Sequence, residues 1–204
     1  MPLERLNLNT YAWTAQHFMG GWRREDPFDF DAPYQRGAVW SLDQKRNLIR
    51  SLVIGLPVGV VIYSELPLSG SHATDPAHPE RVCRIIDGKQ RILAIRQFTE
   101  GEFTVPAAWF NDEPGEVAWD GLRDQDRRAI ENANVPGIGY VSHYTYVYGK
   151  SGGIVRDDKG RAKIRRRTPE ETIAAEAELF LLVNMGGTAH DASTLARAAE
   201  VAGR

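Results

Sequence analysis

The segment that most constrains this chain is one in which a buried strand runs into a glycine turn and directly into a helix. Arg81 to Ile86 carries Val82, Cys83, Ile85 and Ile86 and reads as a strand. Asp87-Gly88 turns the chain, and Gln90 to Thr99 then sets Ile92, Ile95 and Phe98 on one helical face. Gly88 allows a backbone conformation that is costly for other residues and a close approach to a ligand. The first N–H groups of a helix have no partner within it and favour an anion. Lys89 and Arg91 add positive charge there, and the arginine fork can grip a phosphate through two bonds. Asp87 is an acceptor beside this anion site, suited to hold a divalent metal or to take a proton from a nucleophile. Asp87, Gln90 and Arg91 are therefore the candidate catalytic residues, and Gly88 and Lys89 candidate phosphate contacts. An ordinary helix start, with Asp87 as cap and both cations in solvent, carries the same pattern.

The flanking sequence alternates helix and strand. Thr10 to Phe18 has Tyr11, Ala15 and Phe18 at helical spacing, and Gly20-Gly21 stops it; Trp22 to Tyr34 reads as loop. Ser41 with Gln44 makes a capping box for a helix through Leu48, Ile49 and Leu52 that Gly55-Leu56-Pro57 ends. Val58 to Ser64 is a β-branched strand, Pro67 to Pro79 a loop, Phe103 to Pro106 a short strand and Leu122 to Asn132 a polar helix. Gly137 to Tyr148 alternates as a strand, with Ile154 to Arg167 as its hairpin partner. Thr168, Pro169 and Glu171 open a strong helix, and another spans Ala192 to Val201. The expectation is an α+β fold in one domain over residues 1–204, with a basic β-hairpin elaboration at about 138–167.

Two more segments carry candidate ligand contacts. Gln35 and Arg36 follow Tyr34 in a loop leading to Trp40, whose aromatics suit core anchors better than ligand contacts. Asn184-Met185-Gly186-Gly187-Thr188 lies between two helices, where glycines make either a plain cap or a nest for an oxyanion, with Asn184 and Thr188 as donors. The hairpin gathers Lys163, Arg165, Arg166 and Arg167 behind Tyr144, Tyr146 and Tyr148. Such a ribbon can follow DNA phosphates while aromatics stack on bases, or it can be a solvated hairpin with one buried tyrosine face.

Composition excludes several classes. The net charge is −2, so any DNA contact is local. The single cysteine, Cys83, excludes an intramolecular disulfide and a cysteine-rich metal site, and it suits a cytoplasmic protein. The five histidines show no zinc-ligand spacing, and there is no Walker A sequence, signal-peptide core or membrane-length apolar run.

In order and spacing, Tyr34-Gln35-Arg36 with Trp40-Ser41, Ile85-Ile86-Asp87-Gly88-Lys89-Gln90-Arg91, and Phe180 to Thr188 resemble the N-terminal domain of GmrSD-type restriction proteins. The resemblance implies a ParB/sulfiredoxin-like fold, in which the turn after the strand binds nucleotide phosphates. It implies Mg²⁺ and ATP or GTP as cofactors, DNA, including modified DNA, as a partner, and Asp87 as metal ligand. The nucleotide would contact Gln35, Arg36, Gly88, Lys89, Asn184, Gly186, Gly187 and Thr188. Two departures stand out. Lys89 replaces the family's usual glutamine, and the family's HNH-like nuclease half has no counterpart in these residues. The expected function is thus NTP hydrolysis, or transfer of the terminal phosphate to a hydroxyl of a hydroxymethylated base. The alternative is an NTP-switched module that binds DNA or a partner nuclease and has no catalysis of its own.

Overall fold

The computed structural model describes residues 6–19, 27–35, 40–65, 83–111, 114–184 and 192–203. In chain order its strands and α-helices are β1 (Leu8–Tyr11), β2 (Phe28–Asp29), α1 (Leu42–Val53), β3 (Val61–Glu65), β4 (Cys83–Asp87), α2 (Lys89–Thr99), β5 (Val105–Pro106), β6 (Glu116–Val117), α3 (Asp124–Glu131), β7 (Gly137–Tyr140), β8 (Tyr144–Tyr146), β9 (Ile164–Arg166), α4 (Pro169–Asn184) and α5 (Ala192–Val201). The main sheet has five strands in the order β1-β7-β3-β4-β2. It is mixed: β3 runs parallel to β7 and antiparallel to β4, and β2 runs parallel to β4. With helices packed against this sheet, the fold is α+β.

Strand alternation divides the core between the two faces. Val61, Tyr63 and Ile85 pack with Leu48, Ile49 and Leu52 of α1, Ile92, Ile95 and Phe98 of α2, and Ile130 of α3. Ile62, Ile86 and Tyr140 pack with Ala177, Leu179 and Phe180 of α4, Ala198 of α5, and Tyr34. The helix starts are those expected. Ser41 and Gln44 cap α1 reciprocally. Thr168 and Glu171 do the same for α4 at 2.9 and 3.2 Å.

Three expectations change. Thr10 to Phe18 is not one helix: Leu8–Tyr11 is an edge strand, and only Ala15–Phe18 coils, as a 3-10 turn. Pairing with β7 outweighs the helical spacing of Tyr11, Ala15 and Phe18. The expected loop before Tyr34 contains β2, added to the edge of β4. Gly137 to Tyr148 is split: β7 joins the main sheet, whereas β8 pairs with β9 in a separate ribbon that begins at Tyr144. Among the described residues, no helix is long and apolar enough to cross a membrane.

A polar cluster crosses the second core. Arg84 of β4 is paired with Glu176 of α4 at 2.8 Å and Asp29 of β2 at 3.2 Å, with side chains 8%, 0% and 8% exposed. Ser142 Oγ donates to Glu176 Oε1 at 3.0 Å and shares a 2.6 Å hydrogen bond with Ser64 Oγ. Burial is the largest single influence on Arg84 and opposes its charge, but the opposing contributions, Glu176 foremost, outweigh it and the pKa is raised. Burial, then the negative charge of Glu176, holds the Tyr34 phenol well above its ordinary value, so it stays protonated. Glu176→Ala removes the closer of the two carboxylates that hold the buried Arg84 and leaves it only Asp29, and a loss of about 3 kcal/mol is expected in urea unfolding. The double variant R84M/E176M is expected to lose less than the sum of the two single losses; an additive loss would contradict this account.

On the surface, a bidentate bond from Arg165, followed by the Thr168 N–H, lowers the Glu171 carboxyl to about 2. Because the folded pKa is depressed, this contribution to stability is complete above the ordinary glutamate range and disappears as pH falls toward 2. Carbon-detected NMR titration is expected to place Glu171 near 2 and to show it moving upward in Arg165→Ala.

Candidate functional site

β4 ends at Asp87, and Gly88 is the N-cap of α2 in the left-handed conformation, φ +95°. A Cβ on Gly88 would lie 3.0 Å from Val61 Cγ2, so both the backbone conformation and the space favour glycine. The helix ladder begins with Ile92 N donating to Gly88 O at 3.1 Å. The backbone N–H groups of residues 89–91 therefore precede the ladder, at the positive end of the helix.

Arg91 folds back over this turn. Its Nη2 donates to Asp87 Oδ2 at 2.5 Å and its Nη1 to Val58 O at 3.1 Å. It is partly buried, at 16% side-chain exposure. Gly59 makes room for the fork: a Cβ there would lie 2.5 Å from Arg91 Nη1. The two bonds leave other guanidinium N–H donors for a ligand. Lys89 turns the other way, and its Nζ donates to Phe30 O at 2.6 Å, which ties the segment after β2 to the start of α2. Gln90 Oε1 accepts from Trp40 N at 3.4 Å and so links the turn to the approach to α1.

Gln35 reaches β4 from the opposite edge. Its Nε2 donates to Ile85 O at 2.9 Å and Ile86 O at 2.6 Å. The reason is topological. β2 pairs with β4 only at Cys83 and Arg84, and a register shift separates the pairs Ile62–Asp87 and Tyr63–Ile85. Beyond Arg84 the side-chain amide of Gln35 supplies donors where β2 has ended. Tyr34, fully buried, packs its ring 5.7 Å from Phe180, so it is the anchor expected of it.

Gln35, Asp87, Gly88, Lys89, Gln90, Arg91 and Asn184 all line one cleft of about 530 Å³. At the end of α4, Asn184 Nδ2 donates to Phe180 O at 2.7 Å. Arg36, Gly186, Gly187 and Thr188 lie outside the described residues. Sequence reasoning missed the wall made by α1, where Gln44, Asn47, Leu48 and Ser51 face the cleft, and missed Thr194 and Phe180. The i, i+3, i+4, i+7 spacing of Gln44, Asn47, Leu48 and Ser51 was the available signal. Among the described residues, no group of three or more His, Cys, Asp or Glu side chains could hold a metal ion. A metal would have to share Asp87 with a ligand.

The basic side chains of the ribbon are not equivalent. Arg165 is bound to Glu171, and Arg167 Nη1 donates to Ser142 O at 2.6 Å. Arg166 lies over the Tyr144 ring at 5.9 Å, and Lys163 is exposed.

A family model described as the GmrSD restriction endonuclease N-terminal domain matches residues 23–193. Searches of the curated proteins and of the solved structures each gave no match. The match spans Gln35, the Asp87–Arg91 turn and Asn184, and it covers most of the chain, which therefore belongs to the family of GmrSD restriction endonuclease N-terminal domains.

Proposed function

We propose that this domain binds ATP or GTP with its phosphates at the start of α2 and transfers the terminal phosphoryl group, either to water or to a hydroxyl of a hydroxymethylated DNA base. One observation carries this reading: a left-handed glycine cap, a helix start and an arginine fork preset by Asp87 and Val58 O lie together in a cleft of about 530 Å³. That volume lies within the usual range for small-molecule sites, roughly 300–1,000 Å³. The ParB/sulfiredoxin-like resemblance supports the same assignment, and through it Arg36, Gly186, Gly187 and Thr188 join Gln35, Lys89 and Asn184 as nucleotide contacts.

The residues divide the work. The N–H groups at the start of α2 and the remaining donors of Arg91 hold phosphate oxygens and favour the charge that develops on them. Asp87 takes the proton as the oxygen of the attacking water or hydroxyl bonds to the terminal phosphorus and the nucleoside diphosphate leaves. Mg²⁺ fits this donor set, since it commonly takes one or two carboxylates and completes its shell with phosphate oxygens and water. Asp87 would be its protein ligand where it does not act as the base, and the ion would supply neutralising charge at the phosphates.

The 2.5 Å Asp87–Arg91 pair favours a second reading. A carboxylate oxygen already bonded to a guanidinium has less capacity left for a proton or a metal. The domain would then be a nucleotide-controlled module that recognises DNA or a partner nuclease.

Incubation with γ-labelled ATP or GTP, Mg²⁺ and DNA with or without hydroxymethylated bases separates these readings. Label on DNA indicates transfer, free phosphate indicates hydrolysis, and bound nucleotide with neither indicates the switch. Asp87→Asn is expected to lower turnover by about 10²–10⁴-fold; full activity in that variant would remove Asp87 from the site.

For the ribbon, Lys163, Arg165, Arg166 and Arg167 are the proposed DNA contacts; Arg165 and Arg167 also bond to Glu171 and Ser142, and Arg166 lies over Tyr144. Replacing both Lys163 and Arg166 with alanine is expected to weaken DNA binding and to reduce the logarithmic salt slope by about 0.9 per lost phosphate contact. An unchanged slope would take DNA away from the ribbon.

A further inference from the structure

Two buried side-chain oxygens in the described residues have no hydrogen-bond partner: Gln97 Oε1 and Gln35 Oε1. Of the two, only Gln35 lines the cleft. A buried acceptor without a donor is uncommon and calls for a physical explanation.

The orientation of this amide is set by its neighbours. Its nitrogen faces the carbonyl oxygens of Ile85 and Ile86 at 2.9 and 2.6 Å. Turning the amide over would direct its oxygen at two carbonyl oxygens, so the nitrogen has to stay where it is. Both N–H bonds of the amide are then spent on the backbone of β4. What Gln35 has left for a ligand is an acceptor and nothing else.

This limits which part of a nucleotide Gln35 can meet. Ionised phosphate oxygens are acceptors, and two facing acceptors repel. Ribose hydroxyls and base N–H groups are donors. The protein's own donors gather instead at Arg91 and the start of α2, which line the same cleft. We infer that Gln35 is a specificity-determining residue that accepts a hydrogen bond from an O–H or N–H of the nucleoside part of the ligand, and that it does not bind phosphate. The inference rests on the nucleotide-binding reading of the cleft and gives Gln35 and the Arg91 fork opposite hydrogen-bonding character.

The test begins with ligands and the unaltered chain. Calorimetric titrations in Mg²⁺ compare ATP, GTP, CTP and UTP with inorganic tripolyphosphate. The tightest nucleotide is then compared with its 2′-deoxy form, its 3′-deoxy form and the analogue lacking the exocyclic base amine or the base N–H. One of these deletions is expected to weaken binding roughly tenfold or more, because it leaves a buried acceptor unsatisfied; which deletion does so tells ribose from base. In Gln35→Met, which has similar bulk and no acceptor, the same deletion is expected to change affinity by less than about twofold, with circular dichroism reporting that the variant is folded. If Gln35→Met does not fold, the ligand series on the unaltered chain still decides. Nucleotide binding in which every deletion stays within twofold, or a deletion penalty that persists in folded Gln35→Met, overturns the role of Gln35 and leaves the nucleotide site standing. Binding of tripolyphosphate as tight as that of any nucleotide also overturns it. If neither nucleotides nor tripolyphosphate bind, the reading of the cleft falls first and the inference falls with it.

Discussion

The buried charge of Arg84 organises the molecule around its candidate site. Arg84 lies three residues before Asp87 on the same strand, and its partner Glu176 lies two helical turns before Asn184 on α4. One ion pair therefore fixes the strand that presents the Asp87–Gly88 turn against the helix that carries Phe180 and Asn184 of the cleft. Asp29 adds β2 to this arrangement, and Ser142 ties in the chain after β7. Such a cluster is weak evidence for net stability, since apolar side chains of the same volume often do as well. Its physical value here is register. A slip of either element would strand a guanidinium or a carboxylate away from water, and that penalty favours the single alignment in which Asp87 and Asn184 face one cleft.

Around the turn, the same economy of space recurs. Gly88 brings the strand end close to Val61, and Gly59 clears the path for the Arg91 fork. The fork is then held by the Asp87 carboxylate and a backbone carbonyl. Donors fixed in this way need little reorganisation when an anion arrives, which is where a preformed site gains over flexible cations in solvent. Lys163 in the ribbon is exposed, and its long stem costs rotamer entropy to order against any partner. The contrast separates a built anion site from a surface that offers charge alone.

Local chemistry made the Asp87–Arg91 turn legible in the sequence, as it did the capping boxes at Ser41 and Thr168, because each rests on residues three or four apart. The partners of Gln35 lie 50 and 51 residues away, and those of Arg84 lie 55 and 92 residues away. No short pattern encodes such distances. A signal was present even so: Arg84 interrupts an apolar strand and Glu176 an alanine-rich helix face, and a charge in such a place asks for a partner. β2 was illegible for a different reason. A strand of two residues has no period, and its existence depends on the open edge of β4. The misread helix at Thr10 to Phe18 shows tertiary pairing prevailing over spacing, since every residue of β1 is exposed and its pairing with β7, with Asn9 and Tyr11 bonded to Glu65, holds it extended.

Lys89 shows how a departure from a family pattern can fit the same geometry. Its ammonium donates to Phe30 O and so anchors the segment that carries Tyr34 and Gln35 to the start of α2. The added charge has a separate consequence. Lys89 lines the cleft together with Arg91 and the positive end of α2, and its remaining N–H donors strengthen the field on an anion there. Lys89 thus makes a hydrogen bond that orders the start of α2 and adds a positive charge to the cleft.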